Sequence, residues 1–407
     1  MKISILGTRG IPAKHGGFET FAERLALHLV GQGWDVTVHC PAVGATEVRE
    51  SEWCGIRLLH LPVHRDDAVG SILFDWKSTL VATGEGGSVL NLGYGTAIFG
   101  LLYRLRGIYN VINMDGIEWR RKKWSFPARA WLYFNERAAC LLANHLVADH
   151  PEIKSHLATR VDAGKITMIP YGADPVVDPD PELLKPFSLT ANGYAIVIAR
   201  PDPDNSILEI VRAFSARKRG VKLVILGNYN ESVPYQKQVL AAASSEVVFA
   251  GGIYDKQVVE ALRFYARLYV HGHKVGGTNP SLVEALAAGS PVLAHGNHFN
   301  REVAGPGAQF FDDEQHLAEE LNSLLGDGRD LEGMRQSSRQ RHSEAYTWEM
   351  VLSAYEGLLA QWQSGLVQDR HDAKITAPAT PTQGRVGFDP AMVAAESPQP
   401  LRALPLS

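Results

Sequence analysis

The sequence predicts two tandem α/β domains, each built on a parallel sheet with helices on both faces. Three observations lead there. Apolar runs of strand length alternate with segments of helical period along most of the chain. Each such unit joins parallel strands, which requires a right-handed crossover through a helix. Residues 171–181 (YGADPVVDPDP) are dense in Pro and Asp, lack any apolar period and divide the series into halves of similar size. A length of 407 residues fits two or three domains of about 150 each.

The elements follow in order. Residues 2–6 form a short apolar strand, 7–17 a loop, and 18–30 a helix with Phe18, Phe21, Ala22, Leu25 and Leu29 at helical spacing, stopped by Gly31 and Gly33. Residues 35–40 (DVTVHC) close the first β-α-β unit. Further buried strands are expected at 56–61, 89–92, 110–113, 145–148 and 166–169, with a helix at 127–142. Beyond the linker, strands are expected at 194–199, 221–226, 247–249, 268–271 and 291–294, with helices near 207–217, 256–265 and 281–288. Residues 347–361 (TWEMVLSAYEGLLAQ) form an amphipathic closing helix. The expected organisation is a first domain over 1–172, a second over 173–346, the closing helix over 347–362 and a disordered tail over 366–407, whose prolines and few aromatics cannot offset ordering entropy.

With 45% hydrophobic and 21% charged residues the chain reads as a soluble globular protein. A net charge of -4 provides no global field for nucleic acid. Three scattered cysteines (Cys40, Cys54, Cys140) suit a reducing cytoplasm. The N-terminus lacks a signal-peptide h-region. The longest apolar stretch, 89–102, is too short and too broken to span a bilayer.

Two loops suit an anionic ligand. In GTRGIPAKHGGFETF, Gly16-Gly17 precede a helix, so an anion can approach its positive end; a plain tight turn explains the same residues. In HGHKVGGTNPSLVEALAAG, Gly276-Gly277 follow a strand, Asn279 suits the N-cap and Pro280 the first helical position. Glu284, one turn on, reaches back toward the helix mouth or simply favours the dipole. Arg200 ends a strand at the edge where open α/β sheets bind ligands and suits a diphosphate. Asp202-Pro203-Asp204 reads as a turn more than as a metal-binding triplet. Asp115 and Glu118, after a buried strand, are sugar-hydroxyl acceptors or general-base candidates. Arg120-Arg121-Lys122-Lys123 among Trp119, Trp124, Phe126 and Trp131 suits an anionic lipid surface or a solvated loop. His271, His273, His295 and His298 lack a completing Cys or carboxylate, so no metal site is expected.

GTRGIPAKHGGFETFAERLA and HGHKVGGTNPSLVEALAAG, with NMDGIEW, KKW and HFNREV, resemble the bacterial rhamnosyltransferase-like branch of the family 4 glycosyltransferases. The resemblance covers about residues 1–362. It implies the GT-B arrangement: two Rossmann-like domains facing across a cleft, the C-terminal helix returning toward the first. It further implies a nucleotide-sugar donor mainly on the second domain, an acceptor mainly on the first, retention of anomeric configuration, and no metal or cofactor. Carried over, Glu284 is the second glutamate of the E-x7-E motif, while Gly276 stands at the first. Arg200 is the diphosphate arginine, but Asn205 stands where a lysine is usual, for which Lys274 or Arg9 would compensate. Asp115 falls near an active-site position. Gly16, Gly17, Tyr254, His273, Lys274, Gly277, Thr278, Asn279 and Ser281 complete the implied donor site.

The expected function is transfer of a sugar, rhamnose from dTDP-rhamnose, to a lipid-linked saccharide or polysaccharide acceptor in surface polysaccharide synthesis. The expected location is cytoplasmic and peripheral on the inner face of the membrane. The alternatives are a nucleotide-sugar epimerase or hydrolase, which acts without an acceptor, and a non-catalytic carbohydrate-binding module, suggested by Gly276 and Asn205. A dinucleotide-dependent oxidoreductase lacks its G-x-G-x-x-G fingerprint.

Overall fold

The computed structural model describes residues 1–13, 16–121, 123–326 and 330–363, with a short strand at Arg402–Ala403. The rest of the 366–407 segment lies outside the described residues. The chain divides into two compact units, 1–120 with 124–169 and 352–407, and 121–123 with 170–351.

The first unit contains β1 (Lys2–Leu6), α1 (Gly17–Gly31), β2 (Asp35–Val43), β3 (Arg49–Trp53), β4 (Ile56–Val63), α2 (Ala68–Glu85), β5 (Ser88–Leu92), α3 (Gly100–Arg106), β6 (Tyr109–Asn113), α4 (Phe126–Leu142), β7 (His145–Ala148), α5 (Pro151–Ala158) and β8 (Ile166–Met168). Its sheet runs Arg402–Ala403, β3, β4, β2, β1, β5, β6, β7, β8. The β1 and β2 strands form because Ile3, Ile5, Val36 and Val38 are wholly buried between helix layers, the condition that selects near-continuous apolar runs. The expected all-parallel order fails at β3, which pairs antiparallel with β4. Cys54 (φ 49°) and Gly55 (φ 77°) join them with both central residues left-handed, the geometry of a two-residue hairpin turn. Neighbouring strands β2 and β5 flank β1, so the connections reverse there and leave a crevice at the strand ends.

The second unit contains β9 (Tyr194–Ile198), α6 (Ile207–Ser215), β10 (Lys222–Leu226), α7 (Pro234–Ala241), β11 (Val247–Gly251), α8 (Lys256–Phe264), β12 (Leu268–His271), α9 (Pro280–Ala287), β13 (Val292–His295), α10 (His298–Ala304), β14 (Gln309–Phe311), α11 (Glu314–Leu324) and α12 (Glu332–Ala345). All six strands are parallel, in the order β11, β10, β9, β12, β13, β14. The reversal lies between β9 and β12. A final helix, α13 (Trp348–Gln363), belongs to the first unit from Leu352 onward. There Tyr355 is buried against Phe21 (ring centroids 4.7 Å apart), and its hydroxyl accepts a 2.8 Å bond from Asn113.

Candidate functional site

At the β9/β12 reversal, Arg200 is exposed at the end of β9. Its carbonyl is pinned by the Asp202 N–H (2.7 Å) and by the Asn205 side-chain amide (2.8 Å). Asn205 is buried, and its own carbonyl oxygen lies so close to Gly272 that a Cβ there would come within 2.2 Å. Ser206, left-handed at φ 52°, donates its hydroxyl to the Gly272 carbonyl at 2.8 Å. Asn205 is therefore a buried brace that fixes the Arg200 loop on the start of the loop after β12.

That second loop carries His273, whose carbonyl accepts from Asn297 (2.7 Å) and Asn300 (2.8 Å). Its ring stacks on His271 with centroids 4.2 Å apart. Desolvation, reinforced by the Arg200 charge, holds His273 down to about 3, so it is neutral at physiological pH. Its Nδ1 is buried without a hydrogen-bond partner. Lys274 pairs with Glu209 of α6 at 2.8 Å, which ties this cation into an ion pair of its own. Beside Gly276 a Cβ would meet nothing within 4 Å, so the loop leaves open space there.

Asn279 caps α9, accepting the Ser281 N–H on Oδ1 at 3.0 Å, while its carbonyl takes the N–H groups of Leu282 (3.0 Å) and Val283 (3.2 Å). With Pro280 offering none, the first-turn N–H groups are occupied. What α9 presents to an anion is its dipole and the loop 276–278 rather than free helical donors. Thr278 is buried. The Ser281 hydroxyl lies 2.7 Å from that of Tyr269 and donates to the Ile198 carbonyl at 3.2 Å. Glu284 is ion-paired to the buried guanidinium of Arg263. Arg200, His273, Gly277, Thr278, Asn279, Ser281 and Glu284 thus gather around one sheet edge. Tyr254 follows β11, with β10 and β9 between that strand and β12, and is well exposed.

In the first unit, Gly16 precedes α1 at φ 104°, and the Glu19 carboxylate lies against it, where a Cβ would come within 2.1 Å. Glu19 also accepts the Arg9 N–H at 3.0 Å. The mouth of α1 beside Gly16 and Gly17 therefore already holds a carboxylate. Asp115, left-handed at φ 51°, follows β6, its N–H bonded to Asn113 Oδ1 at 2.9 Å. Asp115, Gly16 and Gly17 belong to this unit and not to the β9/β12 edge.

Sequence reasoning missed Glu136 of α4. Buried, it accepts from Trp119 Nε1 at 2.7 Å and lies 3.1 Å from His156 and 2.8 Å from Arg160. Against desolvation, the bonds from His156 and Trp119 hold its carboxyl below the usual range. It fixes the 115–120 loop. Trp131 likewise donates inward, to the Gly95 carbonyl at 2.8 Å. Lys122 lies outside the described residues. Among the described residues no group of three or more His, Cys, Asp or Glu side chains is placed to hold a metal ion.

Residues 187–341 match the family model described as "Glycosyl transferases group 1", and residues 98–174 match "Domain of unknown function (DUF1972)". No curated protein matches the sequence. Similar solved structures include sucrose-phosphate synthase from Thermosynechococcus elongatus (TM-score 0.74, 17% identity, 89% of this chain and 99% of that one). Anabaena Alr3699/HepE in complex with UDP is similar too (0.70, 16%, 89% and 100%), as is a glycosyltransferase from Rickettsia africae (0.65, 12%, 91% and 99%). The second unit thus carries the sequence signature of the group 1 glycosyl transferases, on a chain whose two mostly parallel α/β units have the GT-B fold.

Proposed function

We propose that the protein is a retaining glycosyltransferase that moves a sugar, rhamnose from dTDP-rhamnose, to a lipid-linked saccharide in surface polysaccharide synthesis. One observation carries the reading: the group 1 match over 187–341 spans the sheet edge where Arg200, the 276–278 loop and the α9 dipole converge. An exposed arginine and a helix dipole stabilise a departing nucleoside diphosphate without requiring a metal. A structural relative holds UDP, which fits the same ligand class. Open space at Gly276 suits a donor sugar held without a carboxylate at that point, and it separates this donor from that of relatives with a full E-x7-E motif. Asp115 serves the acceptor side.

The test is nucleotide release from dTDP-rhamnose or UDP-glucose, with and without a polyprenyl-diphosphate saccharide. Acceptor-dependent release supports transfer. Release without acceptor supports a hydrolase, and no release with tight saccharide binding supports a carbohydrate-binding module. Asp115→Asn should lower turnover while nucleotide affinity stays the same.

The membrane location rests on the first unit. Among the described residues no helix is long and apolar enough to cross a membrane. Yet Val69, Leu73, Trp76 and Leu80 form an exposed stripe on α2, joined by Leu101 and Leu105 of α3 and Phe126, Phe134 and Leu141 of α4. The exposed charges on these three helices are Arg104, Arg106, Arg129 and Arg137. The acids are partly or fully buried: Asp75 bonds Thr96, Glu85 pairs with Arg57, and Glu136 with Arg160. Apolar side chains among cations suit an anionic lipid surface. A second copy would set these arginines against one another. With Trp119 and Trp131 bonded inward, the proposed contact shifts to the helix faces, of which Phe126 and Arg129 at the start of α4 remain part, and away from the 119–125 loop.

A further inference from the structure

The reversal at β1 opens into a cavity of about 510 Å³, the size range of small-molecule sites. It lies outside the ends of β1 and β5, where Leu6 and Gly7 meet Leu92 and Gly93, with Phe18 and Phe74 on its walls. Of the candidate site residues described above, Arg9 and Glu19 line it; those of the β9/β12 edge do not.

Its polar lining is costly unless something fills it. Asn110 is buried; its Oδ1 accepts from Asn91 at 2.6 Å, but its Nδ2 has no partner. The Tyr103 hydroxyl is buried beside Thr79 and Asn91 without a well-formed hydrogen bond to either. Buried polar atoms left unbonded carry their full desolvation cost, and native structures keep few of them. Both line the cavity. Asp75 of α2 joins them, accepting from Thr96 at 2.8 Å on Oδ2.

The charge is arranged in depth. Arg9 and Arg65 also line the cavity, as do Glu19 and Asp66; both arginines and Asp66 are exposed, Arg65 pairs with Asp67 at 2.5 Å, and Glu19 accepts the Arg9 N–H. Asp75 is the charged group beside the buried amide and phenol. Its carboxylate offers acceptors, Asn110 Nδ2 a donor, and Tyr103 either, while Phe18 and Phe74 supply apolar faces. That combination matches the alternating hydroxyl and C–H faces of a sugar ring.

The geometry points to this cavity as a site for a neutral sugar unit, with Asp75 as the residue that selects neutral sugars over anionic ones such as uronates or sugar phosphates. As the place for the acceptor's terminal sugar, it rests on the glycosyltransferase reading above. Two sugar hydroxyls donating to Asp75 satisfy it; an anionic sugar would set a second negative charge beside it with the cations out in water. Burial lifts the Asp75 carboxyl to about 6, so it is ionised above pH 7.

The test uses the full chain at pH 7.5 without donor, with methyl α-L-rhamnoside as the neutral probe and methyl glucuronide as the anionic one, followed by saturation-transfer NMR titration. The wild type should favour the neutral probe at least tenfold. Asp75→Asn should shrink that ratio about tenfold. Tyr103→Phe removes only a hydroxyl that makes no well-formed hydrogen bond, so it should keep the melting temperature and weaken the neutral probe several-fold, which a purely structural role would not do. Equal binding of the two probes by the wild type, or an unchanged ratio in Asp75→Asn with unchanged rhamnoside affinity in Tyr103→Phe, overturns the assignment. Nucleotide binding by calorimetry is run in parallel. Sugar selection without any nucleotide binding would sink the transferase reading and leave the cavity standing.

Discussion

Replacing Glu284 by alanine should destabilise the second unit by about 3 kcal/mol, quite apart from any effect on a donor. The Arg263 side chain is 7% exposed and that of Glu284 36%. Arg263 has a further contact to the Ser281 hydroxyl at 3.3 Å, and its Nε is unbonded. Deleting the carboxylate strands a buried guanidinium, and breaking a buried pair costs about 3 to 5 kcal/mol, of which the partial exposure of Glu284 selects the lower end. Urea unfolding followed by circular dichroism reads the change as a lower midpoint at unchanged slope. Glu284→Gln keeps a hydrogen-bond acceptor and should lose less. Replacing both partners, Arg263→Met with Glu284→Leu, should recover most of the loss, because the cost lies in the unpaired charge. A Glu284→Ala midpoint within about 0.5 kcal/mol of wild type, a typical tolerance for exposed positions, would refute the reasoning. It would also free Glu284 to act on a donor alone. A drop in nucleotide affinity in this variant carries meaning only beside its stability.

Acid should destabilise the first unit between pH 7.5 and 5.0, where its buried histidines together outweigh Asp75, whose proton uptake near 6 works in the opposite direction. Desolvation, with the Arg57 charge, holds His39 down to about 3, and desolvation with Lys165 and Lys154 holds His145 to about 4. Only the unfolded chain takes up these protons below pH 6.5, so the stability is full above 6.5 and falls by roughly 2 kcal/mol per histidine at pH 5; a urea midpoint equal at pH 7.5 and 5.0 would contradict this. Gly272→Ala drives a methyl group against the Asn205 carbonyl and should cost about 1 to 3 kcal/mol as overpacking. By shifting the Arg200 loop it should also weaken nucleotide binding, and calorimetry showing full affinity would mean that loop does not touch the ligand. Changing Arg104, Arg106, Arg129 and Arg137 together to Gln should release the protein from anionic vesicles at low salt, whereas Arg120, Arg121 and Lys123 to Gln should matter less; sedimentation with the reverse order would return the contact to the loop.

The buried strands were legible because both faces of each sheet are covered, so apolar runs such as KISIL and YAIVI needed no further context. The hairpin strand β3 was not. As the half-exposed sequence RESEW it shows no apolar alternation, and its turn uses Cys54-Gly55 rather than the Asn-Gly pair that announces such turns. At the candidate site, residue type misled in the other direction. Asn205 looked like a missing ligand contact because the resembled family has a lysine at that position, yet here its amide joins the Asp202 N–H on the Arg200 carbonyl and braces the loop. Glu136 drew no attention because an acid in a helix is ordinarily on its wet side.

The α2 helix shows how much was still readable. Gly70, Phe74, Ser78, Thr79 and Ala82 are its buried positions, and Asp75 stands next to Phe74, on the same side as Thr79. A carboxylate at that place in the helical period faces a polar interior, which is where the cavity lies. Val69, Leu73, Trp76 and Leu80 occupy the opposite side at spacings of four, three and four. A helix apolar on both faces either sits inside a core or meets a second apolar phase. The exposure of this stripe, beside arginines and no exposed acid on α2, α3 or α4, is the ground on which the membrane contact proposed above rests.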